Sequence, residues 1–144
     1  MKKLIILVIL CCLMGCSRTP KTTICTLEYE NIDVVNTIVS TNHKVNTVTY
    51  QNTVSVEESL LPYMEQTVEE YASTLSGITG ITYTYEFDNL TLIETVVIDY
   101  ENADKSELYN LGFVEMVDGE IPNFVDYDLT LEQMKALGCA CEEK

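Results

Sequence analysis

The stretch TTICTLEYENIDVVNTIVSTNHKVNTVTYQNTVSV, residues 22–56, decides the fold class. Thr, Val, Ile and Tyr alternate with polar residues along it, a period of two that belongs to half-buried strands and not to helices. Three strands fit: Thr23–Glu30, Asp33–Ser40 and Val45–Val56. Asn31-Ile32 and Asn42-His43-Lys44 separate them as turns, because asparagine tolerates the left-handed backbone of tight hairpins.

Towards the C-terminus the period changes. From Ser59 to Ser76, Met64, Val68, Tyr71, Ala72 and Leu75 recur at three- and four-residue spacing and share one helical face. Pro62 suits the first turn, where its missing N–H costs nothing, and Gly77 suits the position past the end. This helix is expected to lie across the sheet. Alternation returns in GITYTYEFDNLTLIETVVIDY (80–100), with Ile81, Tyr83, Tyr85 and Phe87 on one face and a turn at Asp88-Asn89. Asp104 can cap a short helix that runs through Leu111 and stops at Gly112. FVEMVDGEIPNFVDYD (113–128) is irregular, and Thr130-Leu131-Glu132-Gln133 has capping-box spacing for a last helix ended by Gly138. The order βββ-α-ββ-α-α predicts an α+β fold: an antiparallel sheet of about five strands in two hairpin groups, with one longer and two short helices packed on it. A chain of 144 residues, 47% hydrophobic and 22% charged, suffices for one such domain and for one core.

Towards the N-terminus, MKKLIILVILCCLMGC (1–16) has two lysines, an apolar run from Leu4 to Met14, then Gly15 and Cys16. The run is too short for a helix spanning a hydrocarbon core of about 30 Å and has the order of a secretory signal peptide, residues 1–15. Leu13-Met14-Gly15-Cys16 resembles the lipobox of bacterial lipoproteins, where cleavage precedes a cysteine carrying diacylglyceryl. Cys16 is therefore the expected lipidation site. Acyl chains at about 0.8 kcal/mol per buried methylene make an anchor without a spanning helix. Residues 16–22 are the expected lipid-anchored linker, 23–144 the domain, and the expected location is the extracytoplasmic face of the cell membrane.

Loss of Lys2 and Lys3 with the signal would leave six of eight basic residues against 23 acidic ones, a formal charge of −17. Nucleic acid is excluded as a partner, since phosphate binding relies on clustered Lys and Arg that this chain lacks. No G-x-S-x-G elbow, H-E-x-x-H pair, phosphate-cradling glycine loop or dinucleotide fingerprint is present. The single histidine, His43, falls in a turn beside Lys44. Asp99, Glu101 and Asp104, and Asp126, Asp128 and Glu132, offer oxygen atoms but lack the glycine and terminal glutamate of an EF-hand; strand-end and capping roles account for them. Tyr83 and Tyr85, at period two, read as core or rim packing. No catalytic residue, metal site or cofactor is expected. The function that remains is a non-enzymatic binding or structural module of the cell envelope, touching a protein or glycan partner through its sheet face or the 112–129 segment.

Cysteine arithmetic adds the one covalent expectation. Cys11 and Cys12 leave with the signal and Cys16 is acylated, so Cys25, Cys139 and Cys141 remain, in a compartment that permits disulfides. A 139–141 bridge would close a strained ring in adjacent backbone. A bridge from Cys25 to either closes a loop of more than a hundred residues, for which the chain-entropy model gives roughly 4–5 kcal/mol. Cys139 follows Gly138, where a post-helix residue packs back as a small hydrophobe. The competing function is a thiol-dependent redox or metal-handling protein using Cys139 and Cys141.

Cys25-Thr26-Leu27-Glu28, VNTVTYQNTVSV (45–56), SGITGITYTYEF (76–87), ETVVIDYENAD (94–104) and LEQMKALGC (131–139) together resemble the YehR-like bacterial lipoproteins. The resemblance spans nearly the whole domain and implies a small α+β lipoprotein of the cell envelope with no catalytic residues. It also implies a terminal cysteine at the position of Cys141, so the expected bridge is Cys25–Cys141, with Cys139 as the alternative partner. Two departures stand out: SLLPYMEQ (59–66) is less charged than is usual in the family, and Cys139 stands where an aromatic is common.

Overall fold

The computed structural model describes residues 19–144; the expected signal peptide and Cys16 lie outside the described residues. Within them the chain runs β1 (Lys21–Tyr29), β2 (Ile32–Thr41), β3 (Lys44–Ser55), a 3₁₀ turn (Glu58–Leu60), α1 (Leu61–Leu75), β4 (Ile81–Asp88), β5 (Thr91–Asp99), α2 (Lys105–Asn110), α3 (Tyr127–Ala136) and β6 (Ala140–Glu143). The class is α+β. All strands form one antiparallel sheet in the order β4-β5-β3-β2-β1-β6.

The sheet differs from the sequence reading in strand number: it has six strands and not about five, because the tail Ala140–Glu143 pairs with β1. The two hairpin groups join in one sheet, as expected, through β5, which pairs along β3 from Thr47↔Asp99 to Ser55↔Thr91. The turns fall where asparagines allow positive φ, at Asn42-His43 (φ 57° and 61°) and at Asn89 (φ 54°). The first hairpin turns on Glu30-Asn31, one residue earlier than expected, and that of β4 and β5 on Asn89-Leu90, one later.

Strand alternation separates two faces. Cys25, Asn36, Tyr50, Val96 and Tyr83 are successive partners across the sheet and form one row of the covered face. Ile24, Thr37, Thr49, Val97 and Thr82 form the matching row of the other, helix-free face. The main core joins Cys25, Ile38, Val48, Ile98, Leu108, Tyr127 and Met134, so α2 and α3 pack on this sheet surface. A smaller cluster of Val56, Val68 and Leu92, flanked by Leu61, Met64 and Phe87, seats α1 towards the β4 edge. Burying Val68 and Leu75, the inward residues of α1, stabilises it by about 1.5–3 kcal/mol each.

The helix ends follow their capping chemistry. Asp104 accepts from the N–H groups of Ser106 and Glu107 to start α2. The start of α3 corrects the sequence reading: Asp126, not Thr130, is the N-cap, accepting from Leu129 N–H at 2.9 Å. Thr130 lies inside the helix, where its hydroxyl donates back to the Asp126 carbonyl at 2.7 Å. The reason is tertiary. Val45 N–H donates to the Val125 carbonyl and Tyr127 N–H to the His43 carbonyl, both at 2.9 Å, so the β2–β3 hairpin fixes the chain just where the helix begins.

Candidate functional site

α1 sits towards one edge of the sheet and α3 towards the other, which leaves the middle strands without a helix directly over them. The result is an open cleft of about 1450 Å³. Val34, Asn36, Tyr50, Asn52, Glu94 and Val96 line it from β2, β3 and β5; Tyr71 of α1 stands on one side, and the 112–126 segment and α3 on the other. Met116, Val117, Phe124, Leu129 and Leu137, all among its lining residues, are large apolar side chains between 44% and 72% exposed. A concave, mostly apolar surface with a few converging polar groups is the usual form of a ligand site.

The polar groups interrupt an otherwise apolar alternation. β5 turns Leu92, Glu94, Val96 and Ile98 to the covered face, and β2 turns Val34, Asn36 and Ile38. Tyr83 Oη donates to Glu94 Oε1 at 2.5 Å, and the Tyr83 ring meets Tyr71 edge-on with centroids 5.0 Å apart. Burial, then this bond and the Glu94 charge, push the Tyr83 phenol above its ordinary value. Asn36 is only 4% exposed; its Nδ2 donates to Met134 Sδ at 3.3 Å while Oδ1 has no hydrogen-bond partner. A buried carbonyl oxygen left unpaired is costly. The charged lining residues are Glu94, Glu115, Glu120 and Asp126, all acidic. Lys44 stands outside this lining with its Nζ 4.8 Å from the centre of the Phe124 ring.

A disulfide holds the α3 side of the cleft in place. Cys25 and Cys141 are bonded and are direct partners across β1 and β6. Cys25 is in turn the partner of Asn36, so the bridge borders the cleft floor. Cys139, the other candidate, is a free, buried thiol. Its placement follows from the end of α3. Gly138 takes φ 94°, its N–H donates to the Lys135 carbonyl and the Cys139 N–H to the Met134 carbonyl. This paired capping motif folds Cys139 back onto the core beside Met134 and releases the chain to pair with β1 at Ala140.

Most of the remaining candidates have structural partners. His43 lies in its hairpin turn with Nδ1 3.0 Å from Asp128 Oδ2, both side chains largely exposed. Asp99 Oδ1 accepts from the N–H groups of Glu101 and Asn102, while Asp104 and Asp126 are helix caps. Among the described residues no group of three or more His, Cys, Asp or Glu side chains is placed to hold a metal ion. Tyr83 packs against the main core and Tyr85 is 37% exposed beside it. Sequence reasoning missed Glu94, Asn36 and Asn52 as site residues. The available signal was a carboxylate or carboxamide at an inward position of a strand.

No protein-family model and no curated protein matches the chain. Two solved structures share its architecture. The NMR structure of a protein from Streptococcus pneumoniae TIGR4 superposes with a TM-score of 0.56 and 16% identity, over 88% of this chain and 87% of that one. The NMR structure of the Escherichia coli YehR protein superposes with a TM-score of 0.70, also at 16% identity, over 87% of this chain and 92% of that one; in fold, the chain is similar to YehR.

Proposed function

We propose that this protein is a lipid-anchored, extracytoplasmic binding module of the cell envelope that holds a ligand in the cleft between α1 and α3. The observation that carries the binding half is the cleft itself: an open, apolar-rimmed concavity whose floor contains a buried, half-satisfied asparagine and a carboxylate. Support for the anchor is the sequence MKKLIILVILCCLMGC, with Cys16 as the acylated residue. The likeness to the YehR-like lipoproteins adds to it through fold and through the motifs quoted above. Among the described residues no helix is long and apolar enough to cross a membrane. Attachment is assigned to acyl chains on the motif Leu13-Met14-Gly15-Cys16, and the ligand is assigned to an envelope protein or glycan. The thiol-dependent alternative draws nothing from the geometry, since Cys141 is bonded to Cys25 and Cys139 is buried.

Each half has its own test. Cells fed a radioactive fatty acid should label the full chain, and Cys16→Ala should abolish the label; label retained in that variant refutes the anchor. For the cleft, methyl-labelled full chain in phosphatidylcholine nanodiscs is titrated with 4-phenylbutanol, a neutral probe. The methyls of Val34, Val96, Leu129 and Leu137 should shift, and those of Ile24 and Val97 on the opposite face should not. Unchanged cleft methyls would remove the binding reading.

A further inference from the structure

We propose that the cleft selects an amphipathic organic amine, its ammonium group held at Glu94 and Tyr71 and its apolar body lying towards the 112–126 segment. This deepens the binding reading above and rests on it. Charge is the first argument. The charged residues lining the cleft are acidic, and Lys44, beside the lining residue Phe124, lies over its ring. A carboxylate or phosphate ligand would enter a negative field with no lysine or arginine of the lining to receive it. An ammonium group gains the attraction that an anion would lose.

The second argument is the chemistry around Glu94. Its carboxylate is part-buried, bonded to the Tyr83 phenol, and lines the cleft together with Tyr71, which is 39% exposed. A carboxylate beside tyrosine rings is a receptor for a cation, because the ring quadrupole adds to the charge. A wholly apolar ligand would strip water from Glu94 and return nothing. The third argument is length. Asn36 and Glu94 lie two strands and one side-chain row apart, about 12 Å by ordinary sheet spacings. A ligand of that length, with its ammonium at Glu94, crosses β3 to Asn36 and so to the α3 side of the cleft, where Asn36 meets Met134.

The probes are 4-phenylbutylamine, 4-phenylbutanol and 4-phenylbutyrate, which share one apolar body. Affinities are taken from the methyl shifts of the full chain in phosphatidylcholine nanodiscs, with empty discs subtracted. The amine should bind at least tenfold more tightly than the carboxylate, with the alcohol between them, and the preference should shrink as salt rises. Glu94→Gln should cut the amine-to-carboxylate preference to under threefold. Tyr71→Leu, a change at a part-exposed ring, should weaken the amine about three- to fivefold more than it weakens the alcohol, so the test survives if Glu94→Gln misfolds. An amine no tighter than the alcohol, or a preference that persists in Glu94→Gln, overturns the amine class while leaving the binding reading intact. Failure of all three probes to shift cleft methyls overturns both.

Discussion

Gly77 and Gly80 both hold φ at 81°, but they sit in different surroundings. A Cβ on Gly77 would meet nothing within 4 Å, whereas one on Gly80 would come to 2.6 Å from Ala103 Cβ and 2.8 Å from its backbone. Gly77→Ala should therefore cost only the left-handed conformation, about 1 kcal/mol. Gly80→Ala should cost about 2–4 kcal/mol, because overpacking against fixed backbone adds to the same term. Urea midpoints of the two variants measure the difference, and equal midpoints would show that the Gly80–Ala103 approach relaxes freely. Gly77 was legible in the sequence as a helix stop, since that role is local. The close approach at Gly80 was not, because Ala103 is brought there by the β5–α2 connection. Asn36 and Glu94 stand between these cases. Their inward positions follow from period-two alternation, but that they line one cleft depends on β5 pairing with β3, which no local pattern encodes.

At the scale of elements, the run from α3 through β6 shows where local signals rank correctly and where they do not. Gly138 ends the helix as its sequence position implies. Thr130-x-x-Gln133 has the spacing of a cap and loses to Asp126, since the hairpin contacts at Val125 and Tyr127 fix the chain before Thr130 is reached. β6 has four residues and no apolar alternation, so only its partner β1 and the Cys25–Cys141 bridge make it a strand. That bridge spans 116 residues. Replacing both cysteines by alanine should lower stability by about 4–5 kcal/mol, the loop-closure term for such a span. The loss should also be ordered in space: amides of β6 and the end of α3 should exchange first, while β2, β3 and β5 keep their protection. Hydrogen exchange read by mass spectrometry distinguishes this from a uniform loss, which would mean that the bridge does not hold the cleft wall separately.

At the scale of the molecule, a strongly acidic chain with nine tyrosines has its alkaline limit set by phenols. Burial pushes Tyr50, Tyr71, Tyr83 and Tyr100 above the ordinary value of 10.0; at Tyr71 the Glu94 charge adds to burial, and at Tyr83 the bond to Glu94 does. The sign follows by linkage. The folded state binds these protons more tightly than the unfolded chain, so the stability they contribute is fully present below pH 10 and is lost as pH rises through the folded values. Each phenolate also adds to a net charge already at −15, so repulsion grows over the same range. Urea midpoints should accordingly be insensitive to tyrosine between pH 7 and 9 and fall above about pH 10, the unfolded-state value. A spectrophotometric titration near 295 nm gives the independent check. The four buried or Glu94-linked phenols should resist ionisation until the circular dichroism of the sheet is lost. If these four ionise at the ordinary value with the sheet intact, the covered face is open to hydroxide, and the part-buried, charge-selective setting of Glu94 on which amine selection depends does not exist in solution.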